Sequence, residues 1–196
     1  MQYTKRIDQA LKLATQLHHG QVRKDAMRTP YIMHPVAVMC ILSHYTSDED
    51  ILIAALLHDV LEDVKLPYAE KELLIAESFG ARVLDIVRGV TEEKDPMSGL
   101  DEKIGWKERK LKYLAHLETS PEESMLVSIA DKIHNLLSME DGIADEGDAF
   151  WCRFNAPEGK LWFYDEAVRV VEKRIHDPMV QELRDRLEAV RSMLGN

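Results

Sequence analysis

The chain has 196 residues, of which 45% are hydrophobic and 31% are charged, and its formal net charge at pH 7 is −10. This length and composition predict one soluble globular domain with a sizeable hydrophobic core. The acidic balance argues against nonspecific binding to nucleic acid or to anionic membranes as the main function, but it is compatible with a small anionic ligand.

The N-terminal residues contain no apolar signal core, and no run reaches the roughly 18 apolar residues of a membrane span. We therefore expect a cytoplasmic protein without a membrane partner. The two cysteines, Cys40 and Cys152, form no metal-binding or redox motif, and we expect both to be reduced thiols.

Apolar periodicity predicts a succession of helices. The first carries Ile7, Leu11 and Leu17 on one face and ends at Gly20. The second is predicted to begin at about Pro35. The others are predicted, in chain order, over 48–62, 66–79, 81–90, 106–117, 121–140, about 160–175 and 178–194. Charged connections are predicted at 91–105 and between 140 and 160. No alternating strand pattern of useful length occurs, and the predicted fold class is all-α.

The third predicted helix ends in an unusual cluster of polar residues. Seven apolar residues, 51–57, are followed by His58, Asp59, Glu62 and Asp63. At about 100° per residue these four side chains share one side of the helix, within an arc of roughly 140°. Carboxylates at a helix C-terminus oppose the helix dipole, and this favours a metal site over the alternative of a solvated helix end.

Two further residues are candidate ligands. His34 lies in the segment YIMHP at the start of the second helix, and Asp131 lies within the apolar run MLVSIADKIHNLL. Each alone is a weak signal, and a lone His before Pro is more often structural. With His58 and Asp59 they supply two imidazoles and two carboxylates, a donor set that favours Mn²⁺, Fe²⁺ or Zn²⁺ over Ca²⁺.

His34, His58-Asp59 and Asp131, in this order on separate helices, resemble the H…HD…D signature of the HD-domain phosphohydrolases. The segments GQVRKDAMRTPYIMHPVAV, AALLHDVLEDV, FGARVLDIVRGVTEEK and IADKIHNLLSM are similar to the hydrolase domain of the RelA/SpoT family, which degrades (p)ppGpp. The chain length is most like that of the stand-alone Mesh-type hydrolases. The resemblance covers about residues 1–140, matches the C-terminal helices over about 157–194 only loosely, and implies one HD domain over 1–196.

The resemblance also implies an activity and a site. The activity is that of a (p)ppGpp 3′-pyrophosphohydrolase, which cleaves ppGpp to GDP and pyrophosphate. The metal, Mn²⁺ or another divalent transition metal, would be held by His34, His58, Asp59 and Asp131. Glu62 and Asp63 would be the catalytic acidic pair, and the substrate contacts would come from Arg23, Lys24 and Asn135.

The sequence departs from the family pattern at two positions near this site. Val64 follows the acidic pair where the family usually has Thr, and Leu137 stands where it has Arg. Lys110 could contact phosphates or lie on an exposed helix face. Lys160 and Tyr164 are as compatible with an apolar helix face in the core as with a substrate-binding site, and His134 shows no pattern of partner residues.

Two alternatives therefore stay open: an HD-type phosphatase of another nucleotide, such as NADPH or a nucleoside monophosphate, and a catalytically inactive nucleotide-binding module. The intact acidic pair argues against the second alternative.

Overall fold

The computed structural model describes residues 2–92, 105–151 and 157–195, without the side chains of residues 148, 157 and 158. In these ranges the regular elements are helices, and the one pairing of extended backbone is an isolated bridge between Val22 and Pro30. The predicted all-α class is confirmed. The helices are α1 (Lys5–Leu17), α2 (Met33–Leu42), α3 (Glu49–Leu57), α4 (Val60–Asp63), α5 (Tyr68–Phe79), α6 (Ala81–Val90), α7 (Trp106–Thr119), α8 (Glu122–Glu146), α9 (Asp148–Trp151), α10 (Pro157–Val171) and α11 (Pro178–Leu194).

Helix α3 lies in the middle of the core. All seven apolar residues over 51–57 are buried, and the helix packs against α1, α2, α6 and α8. Its N-terminus is fixed by the Asp48 side chain, which accepts a hydrogen bond from the amide of Asp50 at 3.0 Å. Because α3 is apolar on every side, the polar residues that follow it emerge from the interior and are not scattered over the surface.

The predicted helix over 48–62 is wrong in one respect, since it is interrupted by a turn at His58 and Asp59. The ring Nδ1 of His58 donates to the carbonyl oxygen of Ala55 at 2.8 Å. A continuing α-helix would offer that carbonyl to the amide of Asp59, so the imidazole competes with the backbone at this position. The one-turn helix α4 then begins at Val60 and carries Glu62 and Asp63.

Helix α8 is longer than predicted. Residues 141–146, which the sequence places in an acidic connection, continue the helix to Glu146, and α9 follows directly. Ile143 faces the core, and Phe150 folds back over Gly142, where an added Cβ would lie 2.3 Å from the Phe150 ring. This apolar contact stabilises helical structure in a segment whose composition predicts a loop.

Residues 93–104 of the predicted charged loop, and Cys152, lie outside the described residues, whereas Cys40 is free and exposed on α2. Of the helices that the structure describes, none combines the length and apolar character needed to cross a membrane.

Candidate metal centre and active site

A cavity of about 480 Å³ opens where the turn after α3 meets α2, α7, α8 and α10. All nine residues that the sequence predicts for the site contribute to it: His34, His58, Asp59, Asp131, Glu62, Asp63, Arg23, Lys24 and Asn135. Four separate stretches of the chain therefore converge on one concave surface.

The deepest part of the cavity is formed by His34, His58, Asp59 and Asp131, which we call the histidine–carboxylate cluster. His34 comes from the first turn of α2, His58 and Asp59 from the turn after α3, and Asp131 from the middle of α8. His34 Nε2 lies 3.4 Å from Asp59 Oδ2 and 3.2 Å from Asp131 Oδ1. His58 Nε2 lies 3.2 Å and 3.8 Å from the same two oxygens. Donor atoms of His34, His58 and Asp59 all lie within 4.8 Å of one another, and Asp131 borders that group.

The environment of the His58 ring favours a bound cation. Its side chain is 4% exposed, its Nδ1 donates to the Ala55 carbonyl, and its Nε2 makes no hydrogen bond of acceptable geometry with any described residue. Burial opposes a charge on this ring, but the carboxylates of Asp59 and Asp131 outweigh it and raise the pKa of His58 well above its ordinary value. The surroundings thus favour positive charge at Nε2, whether a proton or a metal ion supplies it.

His34 is oriented by a second imidazole. Its Nδ1 lies 2.8 Å from Nδ1 of His134, on α8. A histidine that coordinates through Nε2 carries its proton on Nδ1, so His34 would donate and His134 would accept. Burial, together with His34 and Arg23, lowers the pKa of His134 to about 4, which keeps its ring neutral and able to accept.

Asp131 is held in its ionised form from two sides. Burial opposes ionisation, but the rings of His34 and His58 and the nearby Lys132 ammonium outweigh it and hold the pKa of Asp131 well below its usual range. Lys132 is itself buried, with its Nζ 3.7 Å from Asp131 Oδ2 and hydrogen-bonded to Tyr113 and Ser128 at 3.0 and 2.8 Å. Asn135 donates from its amide to Asp131 Oδ1 at 2.6 Å.

Tyr31 connects the cluster to the acidic pair. Its hydroxyl donates to Asp59 Oδ2 at 2.7 Å and is 3.1 Å from Asp63 Oδ2. Burial and the charges of Asp59 and Asp63 raise the pKa of Tyr31, so the phenol keeps its proton at any physiological pH. For Asp59, burial is outweighed by His58 and His34, and its pKa is lowered. Glu62, one turn from His58, lines the same cavity.

Four cations lie around the rest of the cavity: Arg23, Lys24, Lys110 and Lys160, which we call the basic group. The Arg23 guanidinium donates to Asn135 Oδ1 at 3.0 Å and to Ser138 Oγ at 3.3 Å. Lys160 comes from the first turns of α10, and burial together with the charges of Lys110, Lys24 and Arg23 lowers its pKa to about 8. The cavity of this acidic chain therefore presents cations beside its carboxylates, and Lys110 is ion-paired with Glu92. An anionic ligand could contact these cations.

Sequence reasoning left Lys160 and Tyr164 undecided between core and site, discounted His134 and did not consider Tyr31. Lys160 and Tyr164 lie in the cavity, so α10 adds to the site as well as to the core. His134 could have been found from its spacing, because Asp131, His134 and Asn135 are separated by three and four residues and so share one face of α8. Tyr31 offered no signal beyond its position three residues before His34.

The amino-acid sequence of the chain is similar to those of known proteins. The family model described as "HD domain" matches residues 10–159. Over 134 residues the chain is 37% identical to "Guanosine-3′,5′-bis(diphosphate) 3′-pyrophosphohydrolase MESH1" from Xenopus tropicalis, which covers 67% of this chain and 68% of that protein.

The chain is also similar to a bacterial relative. It is 37% identical over 135 residues to "Bifunctional (p)ppGpp synthase/hydrolase SpoT" from Escherichia coli K12, a match that covers 69% of this chain but only 18% of the length of that protein. Among solved structures, one described as "A metazoan ortholog of SpoT hydrolyzes ppGpp and plays a role in starvation responses" has a TM-score of 0.76 at 24% identity, over 96% of this chain and 97% of that one. That similarity shows a shared fold.

Proposed function

The chain belongs to the HD-domain family and is homologous to the Mesh1 and SpoT (p)ppGpp hydrolases, and from this premise we propose that it is a metal-dependent ppGpp 3′-pyrophosphohydrolase. The proposed reaction converts ppGpp and water into GDP and pyrophosphate. We further propose that residues 1–196 act as one HD hydrolase domain, because buried apolar side chains from α1 to α11 form a continuous core.

The metal is proposed to bind to the histidine–carboxylate cluster. The buried Nε2 of His58, which makes no hydrogen bond to a described residue, fits a metal ligand, and two carboxylates approach it from separate helices. Two nitrogen and two oxygen donors suit a transition metal with open coordination positions, and we propose Mn²⁺. Such an ion would lower the pKa of a bound water and polarise the phosphoryl group of the substrate.

Glu62 and Asp63 are proposed to carry out proton transfer. In the proposed step a new bond forms between the water oxygen and the phosphorus attached to the ribose 3′ oxygen, and the bond from that phosphorus to the 3′ oxygen breaks. One carboxylate takes a proton from the water, and the 3′ oxygen receives a proton as it leaves. Their place in the turn after the ligands His58 and Asp59 supports this role, since both side chains line the cavity.

The basic group is proposed to bind the phosphates of the substrate. Arg23 offers a planar fork suited to a phosphate, whereas Lys24, Lys110 and Lys160 act as point charges. Asn135, which connects Arg23 to Asp131, is proposed to hold the substrate beside the metal. A substrate with diphosphates at both its 5′ and 3′ positions needs positive charge beyond the metal, and this group supplies it.

The observation that carries the proposal is the juxtaposition of the histidine–carboxylate cluster and the basic group in one cavity. A direct test incubates the Mn²⁺-loaded protein with ppGpp, NADPH and a panel of nucleoside monophosphates, and separates the products by ion exchange. We expect ppGpp to disappear as GDP and pyrophosphate accumulate. If ppGpp survives while another compound loses a single phosphate, the protein is an HD phosphatase of another nucleotide.

A further inference from the structure

Helix α4, which carries Glu62 and Asp63, is too short to hold its own conformation. It has four residues, and an isolated helical turn is unfavourable because its nucleation fixes several dihedral angles for one hydrogen bond. The carbonyl groups at the end of a helix also find no partners within it. The backbone that presents the acidic pair must therefore be fixed from outside.

One of the groups that fix it is Lys71, on α5. The residue is 5% exposed, and its Nζ donates to the carbonyl oxygen of Leu61 and, at 3.2 Å, to that of Val64. The ring of Tyr68 lies 5.6 Å from the same ammonium. A buried ammonium is tolerated only where it is paired or hydrogen-bonded, and bonds from a charged donor are roughly twice as strong as neutral ones.

A second side chain approaches from the loop after α1. Gln21 donates from Nε2 to the carbonyl oxygen of Asp63 at 3.0 Å, and its Oε1 accepts from Nδ1 of His18 at 2.7 Å. The carbonyls of Leu61, Asp63 and Val64 thus all accept hydrogen bonds from side chains outside α4. The backbone around the acidic pair is held by Lys71 and Gln21, while the Glu62 and Asp63 side chains are directed into the cavity.

We propose that Lys71 is a positioning residue for the acidic pair: by binding the carbonyls of Leu61 and Val64 it fixes α4 so that Glu62 and Asp63 stay aligned over the histidine–carboxylate cluster. The ammonium also places positive charge at the C-terminus of α4, where it is favourable. The inference rests on the proposed function for its effect on turnover. The structural part, that Lys71 fixes the backbone of α4, can be tested without a substrate.

The test compares Lys71→Met, which keeps the apolar stem and removes the ammonium, with Lys71→Arg and with Lys65→Met, an exposed lysine in the same segment. Amide hydrogen exchange over residues 60–66 is measured by mass spectrometry. We expect faster exchange there in Lys71→Met, unchanged exchange in α3 and α8, and little change in Lys71→Arg and Lys65→Met. Unchanged exchange over 60–66 in Lys71→Met would overturn the proposal whatever the substrate is.

Turnover gives the second readout. With metal content confirmed, we expect Lys71→Met to lower kcat by about 10- to 100-fold with KM nearly unchanged, because a misplacement of about 1 Å is that costly to catalysis. In a Glu62→Gln/Asp63→Asn background the same substitution should have little further effect, since it acts through the missing carboxylates. Equal losses of kcat in both backgrounds would overturn the positioning role.

These readouts also separate the two proposals. If the wild-type protein does not hydrolyse ppGpp but exchange over 60–66 responds to Lys71→Met, the proposed function fails and the structural role of Lys71 stands.

If Lys71→Met does not fold, Lys71→Gln, which keeps an N–H donor without the charge, is compared with Lys71→Arg. The proposal then predicts faster exchange over 60–66 and lower kcat for Lys71→Gln, and it is overturned if the two variants behave alike.

Discussion

Arg23 donates a hydrogen bond to Oδ1 of Asn135 at 3.0 Å, although 112 residues separate the two in the chain. Asn135 in turn donates to Asp131 at 2.6 Å, so a proposed phosphate-binding cation is connected through one amide to a proposed metal ligand. The loop after α1 is thereby attached to α8 across the cavity, and the proposed substrate-binding and metal-binding groups share a hydrogen-bonded path.

The first prediction concerns Arg23. Arg23→Ala should raise KM for ppGpp by about 10- to 100-fold with a smaller effect on kcat, because a hydrogen bond to a charged group contributes about 1.5–3 kcal/mol. Steady-state kinetics check this. Arg169→Ala, which removes an exposed arginine from α10, serves as the control and should leave KM unchanged. A fall in kcat alone, at constant KM, would contradict a role in ground-state binding.

The second prediction concerns metal removal. Because the four proposed ligands come from three parts of the fold, chelation should lower the thermal midpoint, and at a metal concentration of 100 Kd the bound ion should stabilise the protein by about 2.7 kcal/mol. Calorimetry with EDTA and after re-addition of Mn²⁺ measures this. Asp131→Ala should abolish the response, whereas Asp141→Asn, an exposed acid on the same helix, should preserve it. Full activity without metal by elemental analysis would exclude the site as described.

The third prediction separates ligands from catalytic groups. Glu62→Gln and Asp63→Asn should retain bound metal but lower kcat by about 10²- to 10⁴-fold, the usual contribution of general acid–base catalysis. Metal content and turnover are measured on the same samples, with Glu70→Gln on the exposed face of α5 as the control. Near wild-type turnover in both variants would mean that the pair is structural.

The fourth prediction is a pH dependence set by Lys160. Its pKa of about 8 makes it lose its charge as the pH rises through 8, so KM for ppGpp should increase above that pH. Lys160→Gln should raise KM at neutral pH and remove the inflection, whereas the exposed Lys112→Gln should do neither. KM measured from pH 6.5 to 9.5 checks this. The same inflection in Lys160→Gln would assign it to another group.

Lys160 also has a consequence for stability. Since its pKa in the folded protein lies below the ordinary value of 10.5, the folded chain binds fewer protons than the unfolded chain between about pH 8 and 10.5. Over that window its contribution makes the free energy of unfolding rise with pH, and below pH 8 the partly buried charge is a cost. Lys160→Gln should flatten that part of the stability profile.

The parts of this site that could be predicted from sequence are those encoded by local pattern. An apolar run ending in His58 and Asp59, and an acid within a second apolar run at Asp131, signal buried polar groups whatever the tertiary arrangement, because burial of such groups requires partners. The same logic failed at the end of α3, where the His58 ring takes the Ala55 carbonyl and interrupts the predicted helix. Hydrophobic periodicity cannot predict a side-chain hydrogen bond of this kind.

The contributors that sequence could not provide depend on tertiary contacts. Gln21 reaches the Asp63 carbonyl from a loop 42 residues away, and Lys71 reaches back from α5 to the carbonyls of Leu61 and Val64. Neither residue has a distinctive sequence neighbourhood. Lys160 sits in an aromatic stretch that fits a core stripe equally well, and only the packing of α10 against α7 brings it next to Lys110. Long-range placement of single polar residues is decided by packing and not by local propensity.

The most direct test of the central claim is hydrolysis of ppGpp by the Mn²⁺-loaded protein in water enriched in ¹⁸O, with products separated by ion exchange and analysed by mass spectrometry. The proposed attack on the phosphorus next to the ribose 3′ oxygen predicts unlabelled GDP and pyrophosphate that carries one ¹⁸O atom. Intact ppGpp after incubation, or release of single phosphates in place of pyrophosphate, would contradict a 3′-pyrophosphohydrolase.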